Sequence, residues 1–172
     1  MSTIYTFHVE CPAATDVDDA DVLLIYDTSS GRTKNVTGAI LRQNVDGGVV
    51  ATTATTLTVT AALHAGKTVV VNSTAPIAIT LPAATATGNK YRFFVGVVAT
   101  GTAHTIKVAT TADIMSGYSW AVTTTSDNAE GFKTTATDDT ISVNGTTKGG
   151  VVGDVIEIID VKSGVFSVQM FT

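Results

Sequence analysis

The chain has a single cysteine, Cys11, so no disulfide can form within it and the fold must be held by burial and hydrogen bonding. It has no run of about 18 apolar residues, the length a membrane-crossing helix needs. Residues 1–10 have neither the basic start nor the apolar core of a secretion signal, so the expected site of synthesis is the cytoplasm, with no membrane partner. Charged residues make up only 15% of the chain, against roughly 25% in ordinary soluble domains. No Lys/Arg stripe is present to track a phosphate backbone, and the net charge of −5 argues further against nucleic acid.

Motifs for chemistry are equally sparse. Three histidines, His8, His64 and His104, stand near segment ends or on polar strand faces, and no G-x-S-x-G turn accompanies them. His8 and Cys11 lack two further zinc ligands nearby. Asp16, Asp18, Asp21 and Asp27 offer hard oxygen ligands, but an EF-hand loop starting at Asp16 places Ala20 at its fifth position and Asp21 where Gly is required. A solvated acidic connector outweighs a calcium site there. Gly149, Gly150 and Gly153 precede no helix pattern and no G-K-[ST], so they read as turn or bulge glycines. The expectation is a protein that is not an enzyme and needs no cofactor or metal.

What the sequence does contain is Thr, roughly a fifth of the residues, whose branched Cβ suits a pleated sheet while its hydroxyl keeps the outer face wettable. The acids are uneven: Glu10, Asp16, Asp18, Asp19, Asp21 and Asp27 lie in a stretch with no Lys or Arg, ahead of a nearly neutral remainder. Three regions follow from these patterns: an extended N-terminal arm over 1–20, a small hairpin-helix unit and linker over 21–64, and a body over 65–172. The fold class expected is mainly β, with an antiparallel sandwich or barrel body.

Along the arm, Tyr5, Phe7 and Val9 alternate with Thr6, His8 and Glu10 before Pro12 ends the pattern. Val22–Tyr26 is an apolar strand, Asp27–Gly31 a turn, Arg32–Val36 a returning strand, and Thr37 an N-cap for one or two helical turns through Gln43. Val49–Ala62 yields one short strand around Leu57 after a flexible stretch. In the body, Lys67–Asn72 and Ile77–Leu81 are expected to form a hairpin, with Tyr91–Val98 central in its sheet and His104–Ala109 its neighbour. Thr110–Asp138 reads as a long irregular excursion carrying Tyr118, Trp120 and Phe132. Val155–Val161 and Val165–Phe171 close the chain as a hairpin turned by Lys162-Ser163-Gly164. No repeat of fixed period stands out, which argues against a β-helix.

Several stretches carry a resemblance: Ala65-Gly-Lys-Thr-Val-Val-Val, Ile77-Ala-Ile-Thr-Leu-Pro-Ala-Ala-Thr, Gly88-Asn-Lys-Tyr-Arg-Phe-Phe-Val-Gly96, Asp139-Thr-Ile-Ser-Val-Asn-Gly-Thr-Thr-Lys-Gly-Gly150 and Gly153-Asp-Val-Ile-Glu-Ile. Together they make Ala65–Thr172 resemble the head decoration, or capsid cement, proteins of tailed bacteriophages. Val22–Lys34 is similar to an element near the N-terminus of phage head and tail fibre proteins. The resemblance implies a trimeric virion protein on the capsid exterior, made in the host cytoplasm, whose partner is a major capsid protein of HK97-type fold. On that footing Ile4, Tyr5, Phe7, Val9, Leu23, Ile25 and Tyr26 are the expected shell or subunit contacts, and Tyr118, Trp120 and Phe132 are candidate exposed aromatic contacts. A head-fibre or tail-associated role, with a receptor glycan as ligand, is the alternative.

Overall fold

A computed structural model describes residues 22–27, 31–37, 47–122 and 129–172. The chain divides into two compact units, Met1–Val45 and Asp46–Thr172. In the first, β1 (Val22–Asp27) and β2 (Arg32–Thr37) pair antiparallel in unbroken register, from Val22 opposite Thr37 to Asp27 opposite Arg32. This is the hairpin the apolar run and turn residues predict. Ile4, Tyr5, Phe7, Val9, the acidic cluster Asp16–Asp21 and the helix expected at 38–43 lie outside the described residues.

The second unit runs through β3 (Val49–Thr52), β4 (Thr56–Thr58), α1 (Ala61–His64), β5 (Thr68–Val71), β6 (Ala78–Thr80), β7 (Lys90–Val95), β8 (His104–Lys107), β9 (Ile114–Val122), β10 (Ala129–Lys133), β11 (Thr140–Val143), β12 (Val155–Lys162) and β13 (Val165–Phe171). It is mainly β, as expected, and built from two sheets. One has seven strands in the order β10-β9-β13-β12-β7-β5-β3, the other four in the order β11-β8-β6-β4. The core draws on both: Val69, Val71, Tyr91, Phe93, Ile156, Ile158, Phe166 and Val168 from the wide sheet meet Ile79, Ile106 and Val143 from the narrow one. Each such side chain taken from water contributes about 1.5–3 kcal/mol, so these interleaved faces are the main source of stability.

The pairing is mixed where a uniformly antiparallel body was expected. β3, β5 and β7 run parallel, as do β4, β6 and β8, so the chain from 49 to 107 steps between the two sheets and lays each strand beside the one before last. The hairpin expected between Lys67–Asn72 and Ile77–Leu81 therefore does not form: β5 and β6 lie in different sheets, and β8 is likewise not the neighbour of β7. Alternation fixes which side chains face the core but not which strand is beside them. Val69 and Val71 reach the core from one side, Ile77 and Ile79 from the other, and both patterns read alike. The successive turns of this stack have unequal lengths, which is why no fixed period shows in the sequence.

The body also starts earlier than Ala65. β3 pairs with β5 and β4 with β6, and Thr52 and Val59 are buried, so residues from Asp46 onward belong to it. β4 is the short strand expected around Leu57, while β3 falls in the stretch read as flexible, where an edge strand buries little and leaves a weak alternation. At the other end, β12 and β13 form the expected hairpin. Lys162 opposes Val165 across a Ser163-Gly164 loop, and Gly164 adopts φ 76, open to a residue without Cβ. The region expected to be an irregular excursion holds β9, nine residues long, paired antiparallel with β10. Residues 123–128 lie outside the described residues.

Candidate functional site

The polar side chains inside the body are engaged with its own backbone. Asp160, on β12, accepts N–H bonds from Thr85 (3.2 Å), Ala86 (2.8 Å) and Thr87 (3.0 Å) and an O–H bond from the Thr87 hydroxyl (2.6 Å). Burial opposes ionisation of this carboxyl, yet these four donors outweigh it and hold its pKa below the ordinary carboxylate value. Ala86 sits at φ 62, a left-handed conformation costly for a residue with a Cβ, where its N–H and its neighbours' converge on the carboxylate. Asp154 shows the opposite balance. Burial raises its pKa and outweighs the bonds it accepts from the N–H groups of Gly150 (2.6 Å) and Val151 (3.1 Å). Asp113 accepts from the Ala84 N–H at 3.2 Å.

The histidines serve similarly. His104 stands at the start of β8, on the core face rather than a polar one, where its Nδ1 accepts from the Ile77 N–H (3.1 Å) and its Nε2 lies 3.2 Å from the Val97 carbonyl. That pairing requires the proton on Nε2. His64 ends α1 and accepts from the Thr60 N–H at 3.0 Å, tying off the helix's first turn. Among the described residues no group of three or more His, Cys, Asp or Glu is placed to hold a metal, and no helix is long and apolar enough to cross a membrane.

The outward side chains are arranged differently. Following strand partners across the wide sheet, one row runs Ala51, Val70, Phe94, Val155, Phe171, Trp120 and Gly131, spanning all seven strands on the solvent side. The adjacent row is polar and contains Arg92, Glu157, Gln169, Tyr118 and Lys133, with Arg92 and Glu157 paired at 3.6 Å. Trp120 is 49% and Tyr118 43% exposed, and their rings meet edge to face at 6.4 Å and 78°. Gly131 lies directly across from Trp120. A methyl group added there would stand 3.7 Å from the indole's six-membered ring, so the ring lies over this glycine. A cleft of about 310 Å³ opens at this corner, bordered by Tyr118, Trp120, Gly131 and Lys133.

Phe132 is 59% exposed and makes no ring contact with Tyr118 or Trp120. It opposes Ser119, on the other face of the same hairpin, and borders both this cleft and an adjoining groove of about 690 Å³ that also touches Tyr118, Lys133, Ile141, Ser142 and Thr146–Lys148. The sequence reading treated the three aromatics as one group; the pleat divides them. Sequence reasoning passed over Gly131, Lys133 and Gln169 at the corner. The Tyr-Ser-Trp-Ala-Val alternation in 118–122 was the signal that would have revealed a strand and sorted its faces.

The second unit is thus a two-sheet β body whose described buried polar side chains are hydrogen-bonded, with exposed aromatics on its outer face. Compared with known proteins, the chain matches no family model and no curated protein sequence.

Proposed function

We propose that this chain is a structural protein of a bacteriophage virion, a decoration protein that binds the outside of an assembled head and stabilises it. The observation that carries the reading is a division of labour. The buried Asp and His side chains of the body hold its own loops, while contact area lies on an outer sheet face and in a leading segment with strand-like alternation. The resemblance of Ala65–Thr172 to head decoration proteins supports the same conclusion.

Such a protein works by binding alone. A ligand that prefers the assembled lattice over free subunits shifts the equilibrium toward assembly by that difference in affinity. In this mechanism the segment Ile4–Val9 adds a strand to an exposed edge of the major capsid protein, with Tyr5, Phe7 and Val9 filling grooves and β1 residues Leu23, Ile25 and Tyr26 adding contact. Three copies acting together raise avidity by about two to four orders of magnitude through effective concentration.

The test is to quantify the chain in purified virions and to add protein lacking residues 1–20 to undecorated heads. The expected result is a copy number matching the capsid lattice and loss of decoration on truncation. Normal decoration by the truncated protein defeats the arm mechanism. A copy number of only a few per virion selects a head-fibre or tail-associated receptor-binding role, a reading that the exposed Tyr118 and Trp120 favour.

A further inference from the structure

We infer that the corner formed by Tyr118, Trp120 and Lys133 is a glycan-binding site, specific for pyranose sugars that carry a carboxylate. The inference is independent of the virion role.

Three features at this corner point to a sugar. Trp120 lies over Gly131 with about half its surface open, so it offers a flat aromatic face already held in place by the strand beneath. A glycine within a strand commonly marks close approach by another group, and here the indole takes one side and leaves the other clear. Tyr118 stands nearly perpendicular at 78°, making a wall beside this floor. The cleft of about 310 Å³ falls at the lower end of small-ligand sites, whereas a stable protein partner needs roughly 1,200 Å² or more of total buried area. An apolar ring face that stacks on Trp while its edge hydroxyls stay hydrated is the property of a pyranose.

The charge at the corner selects among sugars. Lys133 is the strand partner of Tyr118, so its ammonium group flanks the wall, and Gln169 is the partner of Tyr118 on the other side. The nearest acid on this face, Glu157, is paired with Arg92, and Glu130 belongs to the opposite face with Phe132. Within the cleft an anionic sugar therefore meets one cation and, among the described residues, no carboxylate, while Glu130 and Asp138 border the adjoining groove and Gln169 stands at the strand position beside Tyr118. Phe171, beside Trp120 in the apolar row at a strand spacing of about 4.8 Å, extends the platform for a second sugar of a chain.

Trp120 is the only tryptophan, so its emission reports directly on its own site. The full-length protein is titrated with polygalacturonate, alginate, hyaluronan and polysialic acid, with dextran and amylose as neutral comparisons, following emission and mobility in polysaccharide-containing native gels. At least one acidic polysaccharide is expected to blue-shift the emission and retard the protein, more weakly as salt rises. Trp120→Ala should abolish the retardation, Tyr118→Ala should weaken it about tenfold, and Lys133→Gln should remove the preference for acidic chains. Leu63→Ala, which alters an exposed apolar side chain on α1 that borders neither the cleft nor the groove, should bind as the parent does, and circular dichroism establishes that each variant is folded. No response to any acidic polysaccharide, equal response to neutral ones, or equal loss in Leu63→Ala and Trp120→Ala overturns the proposal.

Discussion

Replacing Asp160 by Asn is the sharpest available perturbation of the body because it changes one atom and removes one charge. In the parent, Oδ2 receives the Thr85 and Thr87 N–H groups and the Thr87 hydroxyl, and Oδ1 receives the Ala86 N–H. An amide keeps one acceptor. With its oxygen on the three-donor side, its NH2 group faces the Ala86 N–H at a position now 2.8 Å away, donor against donor. Hydrogen bonds to a charged group contribute about 1.5–3 kcal/mol against roughly 0.5–1.5 for neutral ones, so losing one and weakening three costs about 4–5 kcal/mol at the low end of each range. The sign with pH follows from the depressed pKa. The carboxylate's contribution is complete above the unfolded value near 3.9, and is lost as pH falls through the lower folded value. Urea unfolding followed by Trp120 emission, two strands away in the same sheet, gives the difference directly. The gap between parent and Asp160→Asn should be about 4–5 kcal/mol at pH 7 and should narrow below about pH 4. A gap under about 1 kcal/mol at pH 7, or one independent of pH, refutes the role given to this carboxylate.

Asp154→Asn should behave oppositely. Its pKa is raised by burial, so the fold favours the protonated form, with stability present below the unfolded value and lost as pH rises through the folded one. An amide oxygen still accepts from Gly150 and Val151, and the same urea assay at pH 7 should place this variant within about 1 kcal/mol of the parent. Ala86→Gly removes left-handed strain of about 1–2 kcal/mol at a smaller entropic cost, for a net gain of about 0.5–1 kcal/mol seen as a higher melting temperature. Gly117→Ala drives a Cβ into the Val168 carbonyl where β9 and β13 run parallel, and should lose about 3 kcal/mol or more by the same unfolding measurement.

Much of this fold was legible because strand periodicity is a local signal. Phe166, Val168 and Met170 alternate with Ser167 and Gln169, and β13 buries the first set. The β1–β2 hairpin and the Ser163-Gly164 turn were readable from an apolar run and from turn residues beside each other in sequence. Pairing partners were not legible. Whether Ile79 sits beside Val69 or across the core from it depends on where the 73–76 loop carries the chain, and both placements bury the same residues. The clamps were hidden for a related reason: Asp160 serves a loop more than seventy positions earlier, and nothing near either segment announces the other. At the aromatic corner the residue types were visible, but their division between faces required β9 to be recognised as a strand.

The unequal widths of the two sheets explain why exposed aromatics collect where they do. A strand sandwiched between sheets has one face fixed by the core, so only its outer side chains are free to vary without loss of stability. β10 is exposed along its whole length, on both faces, and β9 alternates only between exposed and half-buried from Ser116 to Val122, because the narrow sheet does not cover this end of the wide one. An uncovered hairpin gains little from burial and is normally a poor place for Trp, Tyr and Phe, which stabilise a fold most when enclosed. Its backbone is nevertheless anchored: β9 lies parallel to β13 through seven register pairs, and Thr172 bonds to both Trp120 and Val122. A rigid strand carrying large aromatics that the fold does not need gives a surface whose side chains are positioned in advance for a ligand. On this argument, Trp120→Ala and Phe132→Ala should each leave urea stability within about 0.5 kcal/mol of the parent. A larger loss in either would mean that the aromatic is holding the hairpin together.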